Sequence, residues 1–264
     1  MTATDTTPVP QDRSWRRPPG RVIVVLPAYN EEANLGPLLK RIDEAMADDA
    51  LAYEVIVVDD GSADRTADVA RELSATLPVR VERHAVNQGL GATIRDGLRV
   101  AATVCGDKDV VVTMDADNTH TPALILRMVR AIREGNDVVV ASRYQPGSYV
   151  RGVPAHRNLL SLAASWLFRA VFPTRGVRDY TSGYRAYRGQ VLRDAFTRYG
   201  DAFVDQEGFQ CMVDILLKLR EMDVIFNEVP LILRYDNKEG ASKMNVVRTA
   251  RKTLELLVRR RLGM

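Results

Sequence analysis

Two aspartates separated by one alanine, Asp115-Ala116-Asp117, follow directly on the apolar run Val110-Val111-Val112-Thr113-Met114. In extended chain, side chains two residues apart point the same way. Two carboxylates crowded on one side raise each other's pKa unless a cation lies between them. A hard divalent ion answers that need, and oxygen donors favour Mg2+ or Mn2+. Mg2+ keeps waters and binds through one or two carboxylates plus substrate phosphates, so the pair also implies a diphosphate partner.

Three further polar clusters end apolar runs in the same way. They are Pro27-Ala28-Tyr29-Asn30-Glu31, Asp59-Asp60-Gly61-Ser62 and Ser142-Arg143. Turns also need Gly, Asp, Asn and Ser, but turn chemistry does not explain why apolar runs end repeatedly in acids. The runs themselves read as strands at Arg21–Leu26, Glu54–Val58, Val79–Arg83, Asp109–Met114, Asp137–Ala141 and Val224–Arg234. Several are apolar at nearly every position, as in strands covered on both faces. Helical patterns fall near 31–47, 64–76, 90–104, 122–134, 154–171, 188–198, 206–221 and 245–261, with Thr121-Pro122 offering an N-cap and a first-turn proline. Alternation of this kind predicts an α/β fold with a mainly parallel central sheet flanked by helices. Carboxyl ends of parallel strands lie along one edge, so the polar clusters converge on one crevice.

The rest of the chain sets bounds. Its 264 residues, 46% hydrophobic and 27% charged, suit one large domain. Residues 1–20 read as a disordered tail, 21–244 as the catalytic domain and 245–264 as an amphipathic basic helix. That helix carries Val246, Val247, Ala250, Leu254, Leu257 and Val258 among Arg248, Arg251, Lys252 and Arg259 to Arg261. It either packs on its own domain or rests on an anionic membrane surface. A net charge of +3 gives no case for a nucleic-acid partner. Cys105 and Cys211 form no disulfide framework, and no window has the ~18 uninterrupted apolar residues of a span. The expectation is a cytoplasmic protein, peripheral at the cytoplasmic membrane face.

Order and spacing of Pro27–Glu31, Val58–Ser62, Asn87-x-Gly89 and Asp115-x-Asp117 resemble glycosyltransferase family 2, with its GT-A (nucleotide-diphospho-sugar transferase, Rossmann-like) fold. Downstream, Ser142-Arg143-Tyr144, Arg157-x-x-x-Ser161, Asp179–Arg185 and Gly240-Ala241-Ser242-Lys243 resemble the dolichol-phosphate mannose synthase branch and its bacterial polyprenyl-phosphate relatives. The resemblance implies an inverting hexosyltransferase, carrying mannose or glucose from a GDP- or UDP-sugar to a polyprenyl phosphate. It assigns the nucleotide to Pro27, Tyr29, Glu31, Val58, Asp60, Asp115 and Ala116, and the metal to Asp115 and Asp117. Arg143, Arg157 and Ser161 become the acceptor-phosphate clamp, with Arg143, Asp115 and Asp117 at the reaction centre. Arg234, Ser242 and Lys243 belong to a loop closing on the donor. The clamp also makes physical sense: Pro154 can open a helix on which Arg157 and Ser161 lie four residues apart on one face.

This chain departs from the family at Thr119, where relatives often carry Gln, and in the longer spacing between Arg234 and Gly240-Ala241-Ser242-Lys243. His84 reads as ending a strand and His120 as structural beside the metal loop. A phosphate acceptor is already anionic and needs orientation more than a general base. Two other readings stand beside this one. The same fold could glycosylate a soluble hydroxyl, with Asp179 or Asp205 as base, or it could be a non-catalytic subunit that binds nucleotide sugars.

Overall fold

A computed structural model describes residues 20–152, 162, 165–234 and 255. Among the described residues there are nine strands: β1 (Val22–Ala28), β2 (Tyr53–Asp59), β3 (Val79–Arg83), β4 (Val110–Thr113), β5 (Val138–Ser142), β6 (Tyr149–Arg151), β7 (Arg185–Arg188), β8 (Phe226–Pro230) and β9 (Ile232–Arg234). The helices are α1 (Glu32–Asp48), α2 (Thr66–Ser74), α3 (Leu90–Val104), α4 (Leu124–Arg133), α5 (Gly189–Tyr199) and α6 (Cys211–Arg220), with a further helical segment at 165–171. Seven strands form one sheet in the order β3-β2-β1-β4-β7-β5-β8.

Burial follows from the sequence. Val22 to Leu26 and Val55 to Val58 show almost no surface, because helices cover both faces of the sheet. Alternate residues feed two separate cores. Ile23, Val25, Ile56 and Val58 pack toward α3, α5 and α6. Val22, Val24, Leu26, Val55 and Val57 pack toward α1 and α4.

The sheet is mainly parallel, as expected, with one exception. β7 runs antiparallel between β4 and β5. Sequence reading misses this strand because Arg185-Ala186-Tyr187-Arg188 has no apolar run, yet Arg185, Ala186 and Tyr187 are all buried. Arg185 tolerates that because its guanidinium donates to the carbonyls of Ser182 (2.8 Å), Met212 (2.6 Å) and Tyr180 (2.8 Å). Reversal of β7 has a consequence: the loop before it, residues 179–184, enters at the carboxyl edge of the parallel strands.

Other expectations are revised. The single strand expected at Val224–Arg234 divides at Pro230-Leu231, β8 staying in the main sheet while β9 pairs with β6 in a second, two-stranded sheet. Proline has no N–H to carry a ladder onward. Helix 122–134 starts at Leu124 without a side-chain cap, since Thr121 and Pro122 form a preceding turn through their carbonyls. Helix 206–221 begins only at Cys211. The tail at 1–19, most of the helix at 154–171 and nearly all of 245–261 lie outside the described residues. Among the described residues no helix is long and apolar enough to cross a membrane.

Candidate active site

Pro27 in β1 and Val58 in β2 are register partners, so the loops that follow them leave the sheet side by side. The loops are latched together. The Asn30 amide donates to Ser62 Oγ (2.9 Å), the Ala63 amide to Asn30 Oδ1 (2.9 Å) and the Glu31 amide to Thr66 Oγ1 (2.8 Å). Asn30 takes a left-handed φ of 52° in this turn, a region that Asn tolerates better than most residues. Glu31 is buried and accepts from Asn34 Nδ2 at 2.7 Å, while Tyr29 stands exposed at the rim.

Asp60 is nearly buried, and much of its carboxylate is committed to the protein. Oδ1 accepts the Gln88 amide (2.8 Å) and faces His84 Nδ1 (2.7 Å), and Oδ2 accepts the Gly89 amide (2.9 Å). An ionised carboxylate has about four lone-pair positions. Three are filled, leaving one on Oδ2. Asp60 therefore organises the turn that opens α3, where Gly89 has a φ of 90°. Gly91, two residues on, has no space for a side chain, because a Cβ there would lie 1.7 Å from the Gln206 carbonyl oxygen. The residues missed on sequence grounds are thus His84 and Gly91, and the signal that could find them is their place beside Asn87-x-Gly89.

After β4, Asp115, Ala116 and Asp117 lie on the same carboxyl edge, with Ala116 buried. Thr119 is buried and directs its hydroxyl to Asp117 Oδ1 at 2.7 Å, with its amide 3.2 Å from the same oxygen. A shorter side chain thus takes a holding role beside the acid. Asn118 has a φ of 63° and accepts from Arg41 Nη1 at 2.6 Å, which ties the loop to α1. The Asp115 amide donates to His120 Nδ1 (3.2 Å), and the His120 ring stacks on Tyr184 at 4.7 Å between centroids. His120 is structural, as expected. A neutral ring in that contact carries its proton on Nε2, 3.9 Å from Asp115 Oδ2. Leu233 of β9 bridges to His120 as well, joining the small sheet to this loop.

Among the described residues, no group of three or more His, Cys, Asp or Glu side chains is arranged around a metal position. The donor set at Asp115 and Asp117 is two carboxylates on one loop. That fits a hard cation completing its shell with water and phosphate oxygens, not an all-protein cage.

Arg143, just past β5, pairs with Asp179 from the loop before β7. Nε donates to Oδ2 at 2.8 Å and Nη2 to Oδ1 at 2.7 Å, a two-pronged contact, and Nη2 also reaches Thr181 Oγ1 at 2.5 Å. Asp179 is fully buried. Burial by itself would raise its pKa, but Arg143 and the amides around it outweigh that and hold the carboxyl below the usual range. Burial lowers and Asp179 raises the Arg143 value, with the net shift upward. Glu228 Oε1 accepts the Arg178 (2.6 Å) and Asp179 (2.7 Å) amides from below, and burial raises its pKa. The structure thus brings together Pro27, Tyr29, Glu31, Val58, Asp60, Asp115, Ala116, Asp117 and Arg143 on one edge. Arg157, Ser161, Ser242 and Lys243 lie outside the described residues, and Arg234 is described only as the last residue of β9.

A mainly parallel sheet with acidic loops along its carboxyl edge is the architecture of a GT-A fold. Residues 23–196 match the family described as Glycosyl transferase family 2, and the chain belongs to that family. It is 37% identical over 211 residues to a dolichol-phosphate mannosyltransferase of Pyrococcus furiosus, covering 80% of this chain but 55% of that protein. The chain therefore spans little more than half the length of that relative. It is 34% identical to the polyprenol monophosphomannose synthase of Mycolicibacterium smegmatis, covering 89% of this chain and 85% of the relative. With the undecaprenyl-phosphate mannosyltransferase of Micrococcus luteus it shares 33% identity over 85% and 88%. Among solved structures, glucosyl-3-phosphoglycerate synthase of Mycobacterium tuberculosis, held with Mn2+, UDP and phosphoglyceric acid, superposes with a TM-score of 0.66. At 23% identity over 93% of this chain and 79% of that one, the likeness is one of fold.

Proposed function

We propose that this enzyme transfers a hexose, mannose in the first instance, from a nucleotide-sugar donor to a polyprenyl phosphate with inversion at the anomeric carbon. One observation carries the choice of a phosphate acceptor over a hydroxyl. Asp179 and Asp205, the two acids that could serve as a general base, are both committed to cations. Asp179 is locked to Arg143, and Asp205 lies 3.4 Å from Lys218 Nζ. Burial pushes the Asp205 carboxyl up, but Gln206 and Lys218 outweigh it and keep it below its ordinary value, as Arg143 does for Asp179. Acids held so firmly ionised are poor proton acceptors near neutral pH. A phosphate monoester is already anionic near neutral pH, so its attacking oxygen needs no base to generate it. Its oxygen attacks the anomeric carbon from the face opposite the diphosphate, the bond to the diphosphate breaks, and the nucleoside diphosphate leaves.

Asp60 and the loops beside it hold the nucleoside, with Tyr29 at the rim. Arg143, oriented by Asp179, presents positive charge to the acceptor phosphate together with Arg157, and Ser161 adds a hydroxyl donor. Asp115 and Asp117, with Thr119 fixing the second, hold Mg2+ or Mn2+, which when bound neutralises charge on the leaving diphosphate. Three relatives named for mannosyl transfer to polyprenyl phosphates support the sugar and the lipid.

A lipid acceptor needs a membrane-facing surface, and we place it at residues 162–169. Leu162, Trp166 and Leu167 are exposed there, with the Arg169 guanidinium 5.1 Å from the Trp166 ring centre. Trp beside Arg suits the level of lipid headgroups.

The test is direct. Purified protein is incubated with labelled GDP-mannose, or with UDP-glucose, plus Mn2+ and a polyprenyl phosphate. Label is expected in the lipid phase, and EDTA is expected to stop transfer. Transfer to soluble sugars alone, or undiminished transfer in EDTA, would overturn the acceptor or the metal assignment respectively.

A further inference from the structure

His84 follows β3 and its side chain is about one-tenth exposed. Its ring lies between two carboxylates on different elements. Nδ1 is 2.7 Å from Asp60 Oδ1, and Nε2 is 3.2 Å from Asp96 Oδ2 on α3. Ionised carboxylates only accept hydrogen bonds, so a ring nitrogen that bonds to either acid does so as the donor. The backbone keeps the ring in place, since the His84 amide donates to the Asp59 carbonyl at 2.9 Å. Asp96 is in turn gripped by Arg95 at 2.9 Å.

We infer that His84 is a positioning residue for donor binding: it braces the Asp60 carboxylate against the Gln88 and Gly89 amides and couples that turn to α3 through Asp96. This rests on the proposed assignment of the Asp60 edge to the nucleoside. The bracing matters because Asp60 has one lone-pair position left, on Oδ2, and its direction is set by the other three contacts. With His84 removed, Oδ1 loses its closest partner and the carboxylate can turn about its bond. The nucleoside then meets a mobile acceptor where it had a fixed one, and ordering it costs affinity. An ion pair on open surface would not have this effect, but this ring is largely removed from water. Charge balance supports the arrangement: burial raises the Asp96 pKa, while Arg95, His84 and Arg99 outweigh it and hold the carboxyl low, so α3 presents a fixed negative anchor.

The experiment compares wild type, His84→Ala and His84→Gln. Dissociation constants for GDP and UDP with Mn2+, donor and acceptor KM, kcat, and hydrogen exchange at the Gln88 and Gly89 amides are measured. In His84→Ala both amides are expected to exchange faster, and the nucleotide dissociation constant and donor KM to rise on the order of ten-fold, the lower range for a charged hydrogen bond. The kcat value and acceptor KM should stay within about two-fold, as for an interaction made equally in ground and transition states. Gln, which can keep a donor toward Asp60 but not the link to Asp96, should recover part of the loss. Unchanged amide exchange, or unchanged nucleotide affinity in a folded His84→Ala, overturns the inference. So does a fall in kcat with donor KM intact. If the wild type itself binds neither nucleotide, the donor assignment fails and takes the inference with it. If the wild type binds and the variant binds equally, the inference alone fails.

Discussion

Asp179 has no exposed surface, and its carboxylate receives the Arg143 guanidinium along one edge and the Thr181 and Ser182 amides (3.3 and 3.2 Å) at Oδ1. Removing the Asp179 charge leaves Arg143, whose side chain is a quarter exposed, without its partner, at a cost of about 2–3 kcal/mol, below that of a fully buried pair. Asp179→Asn should therefore lower stability by that amount at neutral pH, read by urea unfolding. The sign of the pH effect follows from the lowered pKa of Asp179. Its stabilisation is fully present above the unfolded carboxyl value of ~3.9 and is lost as pH falls through the lower folded value. Wild type should lose stability over that acid window, and Asp179→Asn should lose less. Parallel pH curves for the two proteins would contradict the assignment. At the same scale, Thr119 shows how a residue outside the family's usual pattern still holds the proposed metal ligand, because a short hydroxyl reaches Asp117 Oδ1 directly.

Between β3 and α3, the turn at 84–91 is positioned from two sides. Asp60 holds its amides from β2, and the loop 205–208 presses on it from the other side, with the Gly91 amide donating to the Glu207 carbonyl at 2.8 Å. That loop is itself anchored by the buried Lys218, which meets Asp214 of its own helix (2.5 Å) and Asp205 (3.4 Å). A Cβ at Gly91 collides with backbone, not with a flexible side-chain end. Gly91→Ala should cost roughly 1–3 kcal/mol through overpacking. It should also weaken nucleoside diphosphate binding, as followed by calorimetry, more than it changes acceptor KM. An alanine variant with unchanged stability and affinity would show that the two loops do not support each other. β7 is the other element whose placement matters, because its reversed direction carries Asp179 to Arg143.

Among the described residues, one edge of the sheet gathers the proposed donor and metal groups and Arg143, and the exposed Leu162, Trp166 and Leu167 follow in the chain after Arg157 and Ser161. A polyprenyl chain stays in the bilayer while its phosphate is at the surface, so the proposed enzyme must meet the lipid interface. Co-sedimentation with anionic vesicles at low salt is the expected outcome, with release as salt screens the attraction. Trp166→Ser should weaken vesicle binding several-fold, through loss of one large apolar contact, without changing nucleotide affinity. Equal binding by Trp166→Ser and wild type would move the membrane contact to another surface.

Local rules were enough for much of this. Strands covered on both faces must be apolar throughout, so β1, β2, β4 and β5 are legible within a residue or two; β3, at the sheet edge, is legible from its alternating Val79-Arg80-Val81, and α3 at its observed limits. Polar residues placed after such strands point to the carboxyl edge, which assigns Asp60, Asp115, Asp117 and Arg143 to it from sequence. Tertiary structure decided what local pattern does not encode. β7 has no apolar run, and it is a buried strand because the Ser182, Tyr180 and Met212 carbonyls, 3, 5 and 27 residues from Arg185, receive its guanidinium. His84 looked like the end of a strand, and its role comes from Asp60 and Asp96, 24 residues before it and 12 after it, converging on its two nitrogens. Side-chain partners of this kind are chosen by how elements pack, and period and propensity describe one element at a time.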